Sequence, residues 1–119
     1  MGYLTTKISE YANYVRSDSL KPCLIDQVNI HNCLHYFKPD LIIEIGSGVS
    51  SVTFSNYTQE TSCSYLSIDP SQTWALNTFR GLNSIGMQLP IFIDLNNLTL
   101  NTEVQVIVAI GLTLNSGSR

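Results

Sequence analysis

The feature of this sequence that most limits its fold is a short apolar run that breaks into a glycine loop. Leu41 to Ile45 is apolar except at Glu44, and Gly46-Ser47-Gly48 follows at once. A near-continuous apolar run is typical of a strand that helices cover on both faces. Glycines let the chain turn sharply out of such a strand and approach a ligand closely. The pattern therefore predicts a buried parallel strand that leads into a ligand-binding turn.

A second apolar run, Tyr65 to Ile68, ends in an acid, Asp69. Two neighbouring parallel strands need a connection of about a dozen residues or more. The interval between Ile45 and Tyr65 supplies that length, although the Ser, Thr and Asn residues of Val49 to Gln59 favour a helix only weakly. Open α/β sheets bind ligands beyond the carboxyl ends of their strands, so Asp69 is a candidate for binding ribose hydroxyls. Alternatively, Asp69 caps a helix that begins at Pro70.

Apolar residues at helical spacing predict three further helices. The first carries Leu4, Ile8, Tyr11 and Val15, and after a turn at Ser17 to Pro22 the second runs from about Leu24 to Phe37. Pro39 ends the second helix because it disfavours a helical conformation at Lys38. The third helix starts near Pro70-Ser71, ends before Gly86 and carries an apolar stripe of Ala75, Leu76, Phe79 and Leu82, of which we expect Phe79 in the core.

Two more apolar runs, Leu89 to Leu95 and Val104 to Ile110, predict a third and a fourth strand. Pro90 is tolerated only at the start of a strand or at a sheet edge. The 119 residues, 44% of them hydrophobic, are enough for one core. We therefore expect a single domain over residues 1–119, with a helical preface at 1–38, an α/β cofactor-binding core at 39–111 and a tail at 112–119.

The charge pattern argues against polyanionic partners. The net charge is −3, the isoelectric point is near 5.1, and no two basic residues are adjacent. We expect no binding to nucleic acid or to membranes. The apolar runs are far shorter than the ~20 residues that cross a bilayer, and the first residues lack the pattern of a signal peptide. Cys23, Cys33 and Cys63 show no metal or redox spacing, so we expect a cytoplasmic protein with reduced, mostly buried thiols.

Glu44 is the most unusual member of the first strand. A carboxylate among apolar neighbours costs several kcal/mol unless a polar group faces it. Glu44 can therefore face a ligand, cap backbone donors or pair with a lysine of the preceding helices. An acid before the glycine loop, the loop itself and an acid after the second strand together predict a site for an adenosine-type ligand.

Other candidate residues carry weaker signals. His31 and His35 lie four residues apart with Cys33 between them, but no third metal ligand has a defined spacing, so we expect no metal. Trp74 could flank an adenine ring or belong to the core. Neither histidine, nor Tyr57, has a spacing that supports a catalytic role, and the catalytic residues are unknown.

The segment Glu44-Ile45-Gly46-Ser47-Gly48-Val49-Ser50 resembles the first motif of the class I S-adenosylmethionine-dependent methyltransferases, with Ser50 at the third glycine position. The resemblance covers roughly Leu24 to Leu95. It implies a Rossmann-like three-layer α/β sandwich, with a mostly parallel sheet of about four strands in the order 3-2-1-4 preceded by two helices. It assigns S-adenosylmethionine binding to Glu44, Gly46, Ser47, Gly48 and Asp69. It also implies that Asp94, near the end of the third strand, contacts the adenine amino group, unless Asp94 is simply a solvated acid.

The resemblance has one clear departure. The fourth run ends without an acid or aromatic residue on the substrate side, and the family's sheet normally continues through three more strands. We expect a truncated, cofactor-binding half that transfers a methyl group to an unidentified acceptor. The alternative is a non-catalytic protein that binds the cofactor alone, or a partner chain or second copy through an exposed sheet edge. A nicotinamide-binding Rossmann domain fits Gly46, Gly48 and Asp69 loosely, but Glu44 and the helical preface count against it.

Overall fold

The computed structural model describes residues 2–15, 24–93 and 106–110, and for the last range the backbone alone. The elements, in chain order, are the helices and strands α1 (Gly2–Val15), α2 (Leu24–Phe37), β1 (Leu41–Ile45), α3 (Val49–Glu60), β2 (Ser64–Ile68), α4 (Gln72–Ser84), β3 (Ile91–Phe92) and β4 (Val106–Ile110). The predicted α/β class is confirmed. Within these ranges, none of the helices is long and apolar enough to cross a membrane.

The described strands form one parallel sheet in the order β3-β2-β1-β4. The strand β1 lies between β2 and β4, with Glu44 beside Ser67 on one side and Ala109 on the other. Because the strands are parallel, their carboxyl ends meet at one edge. The glycine loop after β1 and Asp69 after β2 therefore lie at the same edge of the sheet.

The core consists of two buried clusters under the helices. One cluster joins α1 to α3 and α4 through Leu4, Ile8, Tyr11, Val52 and Leu82 together with Ile85 and Met87. The other joins α2 and α3 to the sheet through Leu34, Ile42, Phe54, Tyr57, Cys63 and Tyr65. Because α3 contributes to both clusters, its polar sequence is held in a helix by burial on both sides.

The helix ends follow the local sequence. Lys38 has a φ of 50°, in the left-handed region, where it closes α2 and leads into Pro39. Ser71 caps α4, since its hydroxyl oxygen accepts the Trp74 N–H at 3.1 Å. Gly86, with a φ of 74°, follows the end of the same helix.

Some side chains are placed differently from the prediction. Phe79, expected in the core, is 38% exposed and Leu76 is 47% exposed, whereas Thr78, Gly81 and Leu82 are the buried residues of α4. The buried face of α4 is therefore not the predicted apolar stripe. It includes the small residues Thr78 and Gly81, which let α1 approach closely. Cys63 is buried as expected but Cys33 is exposed, and both are free thiols. The predictions for Cys23, Asp94, the turn at 17–22 and the tail at 112–119 fall outside the described residues.

Candidate functional site

The glycine loop leaves β1 by a backbone path that favours glycine. Gly46 has a φ of 86°, in the region that side chains with a Cβ rarely occupy. Its N–H donates to the carbonyl of Ile68 at 2.7 Å, so the loop begins with a bond to the end of β2. The helix α3 then starts at Val49, directly after Gly48. The loop is therefore the junction between the central strand and a buried helix.

Asp69 contacts the loop directly. Its Oδ2 accepts the backbone N–H of Ser47 at 2.9 Å and the Ser47 hydroxyl at 3.0 Å. Its Oδ1 accepts the N–H of Ser71 at 2.9 Å, which steadies the turn into α4. Asp69 thus joins the carboxyl ends of the two strands, and the predicted loop and the predicted acid meet at one site.

A buried line of hydroxyl groups leads from this acid to the first helix. The Ser47 hydroxyl lies 2.9 Å from Oγ1 of Thr78, and the phenolic oxygen of Tyr11 lies 3.5 Å from the same Thr78 oxygen. Burial raises the pKa of Tyr11 to about 12, so its hydroxyl keeps its proton at neutral pH. The helices α1 and α4 thereby fix the Ser47 side chain from behind the loop.

Trp74 closes the loop from the solvent side. Its indole Nε1 donates to the carbonyl oxygen of Ser47 at 2.6 Å, and a Cβ added to Gly48 would lie 3.9 Å from the same nitrogen. The side chain is half-buried. Trp74, left undecided by the sequence, is therefore a contact of the loop backbone.

A cavity of about 530 Å³ opens beside Asp69, at the carboxyl ends of β1, β2 and β3. Its volume lies within the range of small-molecule sites, about 300–1,000 Å³. Most of the described lining is apolar, with Ile45, Ile68, Pro70, Ala75, Phe92 and Ile93 among its residues. Among the described residues that line the cavity, Asp69 is the only one with an ionisable side chain. The cavity suits a ligand with a flat apolar part and a few hydroxyl groups.

Glu44 does not line the cavity, because its side chain is fully buried beneath the loop. Tyr65 and Ser67 donate hydroxyl hydrogen bonds to its Oε1 at 2.7 and 2.9 Å. Ser50 donates to Oε2 at 3.0 Å, and the Ser51 oxygen lies 2.9 Å from both carboxyl oxygens. We call Glu44 and these four residues the hydroxyl cage. Among the described residues, Glu44 has neither a backbone donor nor a lysine as a partner.

The hydroxyl cage changes the titration of its acid. Burial raises the pKa of Glu44 to about 7 from an ordinary value of 4.5, although the hydrogen bonds from the four hydroxyls lower it. Among the described residues the only ion pair joins Lys7 to Glu10, so that part of the chain supplies no cation to offset the buried charge. Within the described part of the chain, the desolvation of the carboxylate is therefore offset by neutral donors.

The two histidines lie away from this edge of the sheet. The rings of His31 and His35 are 4.2 Å apart, and His35 packs against Tyr57 with the ring centres 5.3 Å apart. Burial, and then the neighbouring His35, lower the pKa of His31. Within the described ranges, no three His, Cys, Asp or Glu side chains are close enough to hold a metal ion. Asp94, the other candidate for the adenine side, falls outside those ranges.

Sequence reasoning missed the residues that support the site. Tyr65 and Ser67 lie two residues apart in β2, and this polar spacing of two is a sign in the sequence that one face of the strand meets the buried acid. Ser50 and Ser51 are poor helix formers by intrinsic propensity, so the sequence gives them no visible role. Their role follows from the tertiary position of α3 over β1, which local propensity does not report.

Comparison with known proteins adds no further assignment. The chain matches no protein-family model, and no curated protein resembles it in sequence. The functional argument therefore depends on the site itself.

Proposed function

We propose that this chain binds S-adenosylmethionine at the cavity beside Asp69 and acts as a methyltransferase on an unidentified acceptor. The observation that carries the proposal is the direct contact between Ser47 of the glycine loop and Asp69, at the edge of a parallel sheet where such folds bind nucleotide-type ligands. In this proposal the described sheet and helices belong to a Rossmann-like fold.

The lining of the cavity supports an adenosine-type ligand. A carboxylate at the strand end can accept hydrogen bonds from both hydroxyls of a ribose. Ile68, Pro70 and Phe92 offer an apolar surface for a purine ring. The Ser47 hydroxyl lies between Asp69 and Thr78, so it can turn to Thr78 and release Asp69 for the ribose.

The roles of the loop residues follow from their positions. Gly46, Ser47 and Gly48 present backbone to the methionine part of the cofactor, because the loop carries no bulky side chain there. Glu44 acts indirectly, since its buried carboxylate holds the helix start and β2 beneath the loop. Methyl transfer from a sulfonium is an in-line displacement, for which alignment and exclusion of water are the main requirements.

Titration calorimetry with S-adenosylmethionine and S-adenosylhomocysteine tests the proposal. We expect both to bind wild type and Asp69→Asn to weaken binding at least about tenfold, the equivalent of about 1.4 kcal/mol. Asp40→Asn is the matched control, since Asp40 is an exposed acid at the opposite edge of the sheet. Circular dichroism verifies that each variant folds.

A second variant tests the cavity without removing a charge. Ala75→Phe places a ring in the space that the cofactor would occupy, because Ala75 lines the cavity from α4. The cofactor assignment is contradicted if the wild type binds neither compound. It is also contradicted if Asp69→Asn and Ala75→Phe both bind with wild-type affinity. Tighter binding of a nicotinamide dinucleotide than of S-adenosylmethionine supports the nicotinamide alternative.

A non-catalytic binding function is the second candidate. Asp69 is the only ionisable residue in the described lining, and its carboxylate already accepts hydrogen bonds from the loop. The described lining therefore offers no second acid or base for catalysis, which favours a binding function. Release of S-adenosylhomocysteine in the presence of candidate acceptors separates the two functions. Cofactor binding without release across acceptor classes supports the non-catalytic protein.

A further inference from the structure

The hydroxyl cage has a proton arrangement that suits only one charge state of Glu44. Each of the four hydroxyls has one proton, and all four oxygens lie at donor distance from the carboxyl oxygens. A carboxylate accepts all of these bonds at once. A neutral carboxylic acid is itself a donor, so it needs one of the same oxygens as an acceptor. Proton uptake by Glu44 therefore forces at least one hydroxyl to turn.

Ser51 is the member of the cage that meets this conflict. Its oxygen lies 2.9 Å from both Oε1 and Oε2, so it faces the protonated oxygen whichever one carries the proton. The same Ser51 oxygen accepts the backbone N–H of Gly48 at 3.0 Å. The serine thus links the buried acid to the glycine loop through a single atom.

The groups around Glu44 leave it as the titrating member of the cage. From β2, Tyr65 is buried, and burial raises its pKa well above its ordinary value. From α1, Tyr11 has a pKa of about 12. The contacts from α3 are the two serine hydroxyls, and the side chains of β4 are outside the description. The described neighbours are therefore neutral throughout the physiological range.

We propose that Glu44 is a positioning residue for the glycine loop, and that proton uptake by its carboxylate weakens the Ser51 contact that holds Gly48. Once Glu44 is neutral, the Ser51 oxygen must accept the carboxyl proton as well as the Gly48 N–H, so the Gly48 bond has a competitor. The other three cage bonds also weaken, because hydrogen bonds to an ionised group are roughly twice as strong as those between neutral groups. The loop is held in its described position when the acid is ionised. This inference does not depend on a cofactor, so it can fail or succeed separately from the proposed function.

The chain contains its own reporter for this change. Trp74 is its only tryptophan, and the indole N–H contacts the carbonyl of Ser47 in the loop. Fluorescence of the ligand-free protein from about pH 5 to about pH 9 should show a one-proton transition near the pKa of Glu44, about 7. In protein labelled with ¹⁵N-glycine, the Gly48 amide signal should move with the same midpoint, read among the seven glycines of the sequence.

Two variants separate a proton switch from a merely structural role. Glu44→Gln keeps the size of the side chain and should abolish the transition in both signals. Ser51→Ala should remove it from the Trp74 signal while the infrared C=O band of the protonated Glu44 carboxyl still titrates. If Glu44→Gln does not fold, Ser51→Ala and the infrared titration of the wild type still decide the question.

The histidines provide the control, because histidine is the side chain that ordinarily titrates in this pH range. The double variant His31→Gln, His35→Gln should keep the Trp74 transition. A flat Trp74 signal in folded wild type overturns the proposal. So does a transition that persists in Glu44→Gln, one that persists in Ser51→Ala, or one that disappears when the histidines are replaced.

Discussion

The indole nitrogen of Trp74 lies 2.6 Å from the main-chain oxygen of Ser47. The first residue belongs to the helix that follows β2, and the second to the loop that follows β1. This bond, together with the contact between Ser47 and Asp69, connects two consecutive strand-to-helix turns. The two turns therefore form one hydrogen-bonded unit, and a structural change in one turn should alter the other.

Trp74→Phe tests that connection. The substitution keeps an aromatic ring over the loop but removes the N–H donor, so we expect a loss of about 0.5–1.5 kcal/mol in the free energy of unfolding, the usual net worth of a hydrogen bond. Urea denaturation measures it. Phe79→Leu is the control on the same helix, because Phe79 is 38% exposed and its ring packs against Phe92 of β3. An equal loss in both variants would contradict a specific role for the indole N–H.

Tyr65→Phe should destabilise the protein in a pH-dependent way. Above about pH 8 the substitution removes a hydrogen bond to an ionised carboxylate, which is worth about 1.5–3 kcal/mol. Below about pH 5.5 Glu44 is neutral and the cost should fall to about 1 kcal/mol. Urea denaturation at both pH values measures the difference. Tyr57→Phe is the control, since Tyr57 is buried but does not contact Glu44; the same pH dependence in that variant would refute the explanation.

The free energy of unfolding should fall as the pH rises from about 4.5 to about 7. The folded protein holds a proton on Glu44 up to pH 7, whereas the unfolded chain releases it near its ordinary pKa of 4.5. Over this window the folded state binds more protons, so the stability is highest at the acid end. The whole change amounts to about 3 kcal/mol.

Glu44→Gln isolates the contribution of Glu44 to the pH dependence of stability. Because the variant lacks the titrating group, its free energy of unfolding should not fall with pH for this reason. The difference in unfolding free energy between wild type and variant, measured by urea denaturation across the window, is the quantity to compare. The lowered pKa of His31 acts in the opposite direction and is common to both proteins, so it cancels. A constant difference across the window would show that Glu44 does not titrate there.

Gly81→Ala should push α4 away from α1. A Cβ at Gly81 would lie 2.7 Å from Cε2 and 3.1 Å from Cδ2 of the buried Tyr11 ring. Such overpacking typically costs about 1–3 kcal/mol. Gly2→Ala in α1 is the matched control, since nothing lies within 4 Å of its added Cβ. Thermal unfolding of the two variants should separate them, and equal midpoints would contradict the predicted clash.

The order of helices and strands could be predicted from the sequence because each element carries a local signal. The bounds of α2 and β1 are confirmed, since Pro39 and the glycine loop end them. The side-chain placement on α4 could not be predicted, because the apolar stripe at Leu76 and Phe79 competes with small residues that permit a close approach. The helix buries Gly81 and Thr78 instead, where the Tyr11 ring packs.

The sequence predicts the positions of the glycine loop and Asp69, but it does not predict the hydrogen bonds that Glu44 makes beneath them. The loop and Asp69 can be placed because each follows the end of an apolar run, one marked by glycines and the other by an acid. The hydroxyl cage requires the register that places Ser67 beside Glu44 and the packing of α3 above both. Those are tertiary facts, and no local pattern fixes which of several buried polar groups will be partners.

The hydroxyl cage also restricts how this chain can evolve. Loss of Glu44 alone would leave Ser50, Ser51, Tyr65 and Ser67 without their shared acceptor in a dry interior, and loss of any hydroxyl would leave the acid less satisfied. Acceptable changes must therefore arrive together at five positions that are separated in the sequence. Related chains should keep the acid and its four hydroxyls as a set or replace the set with apolar residues.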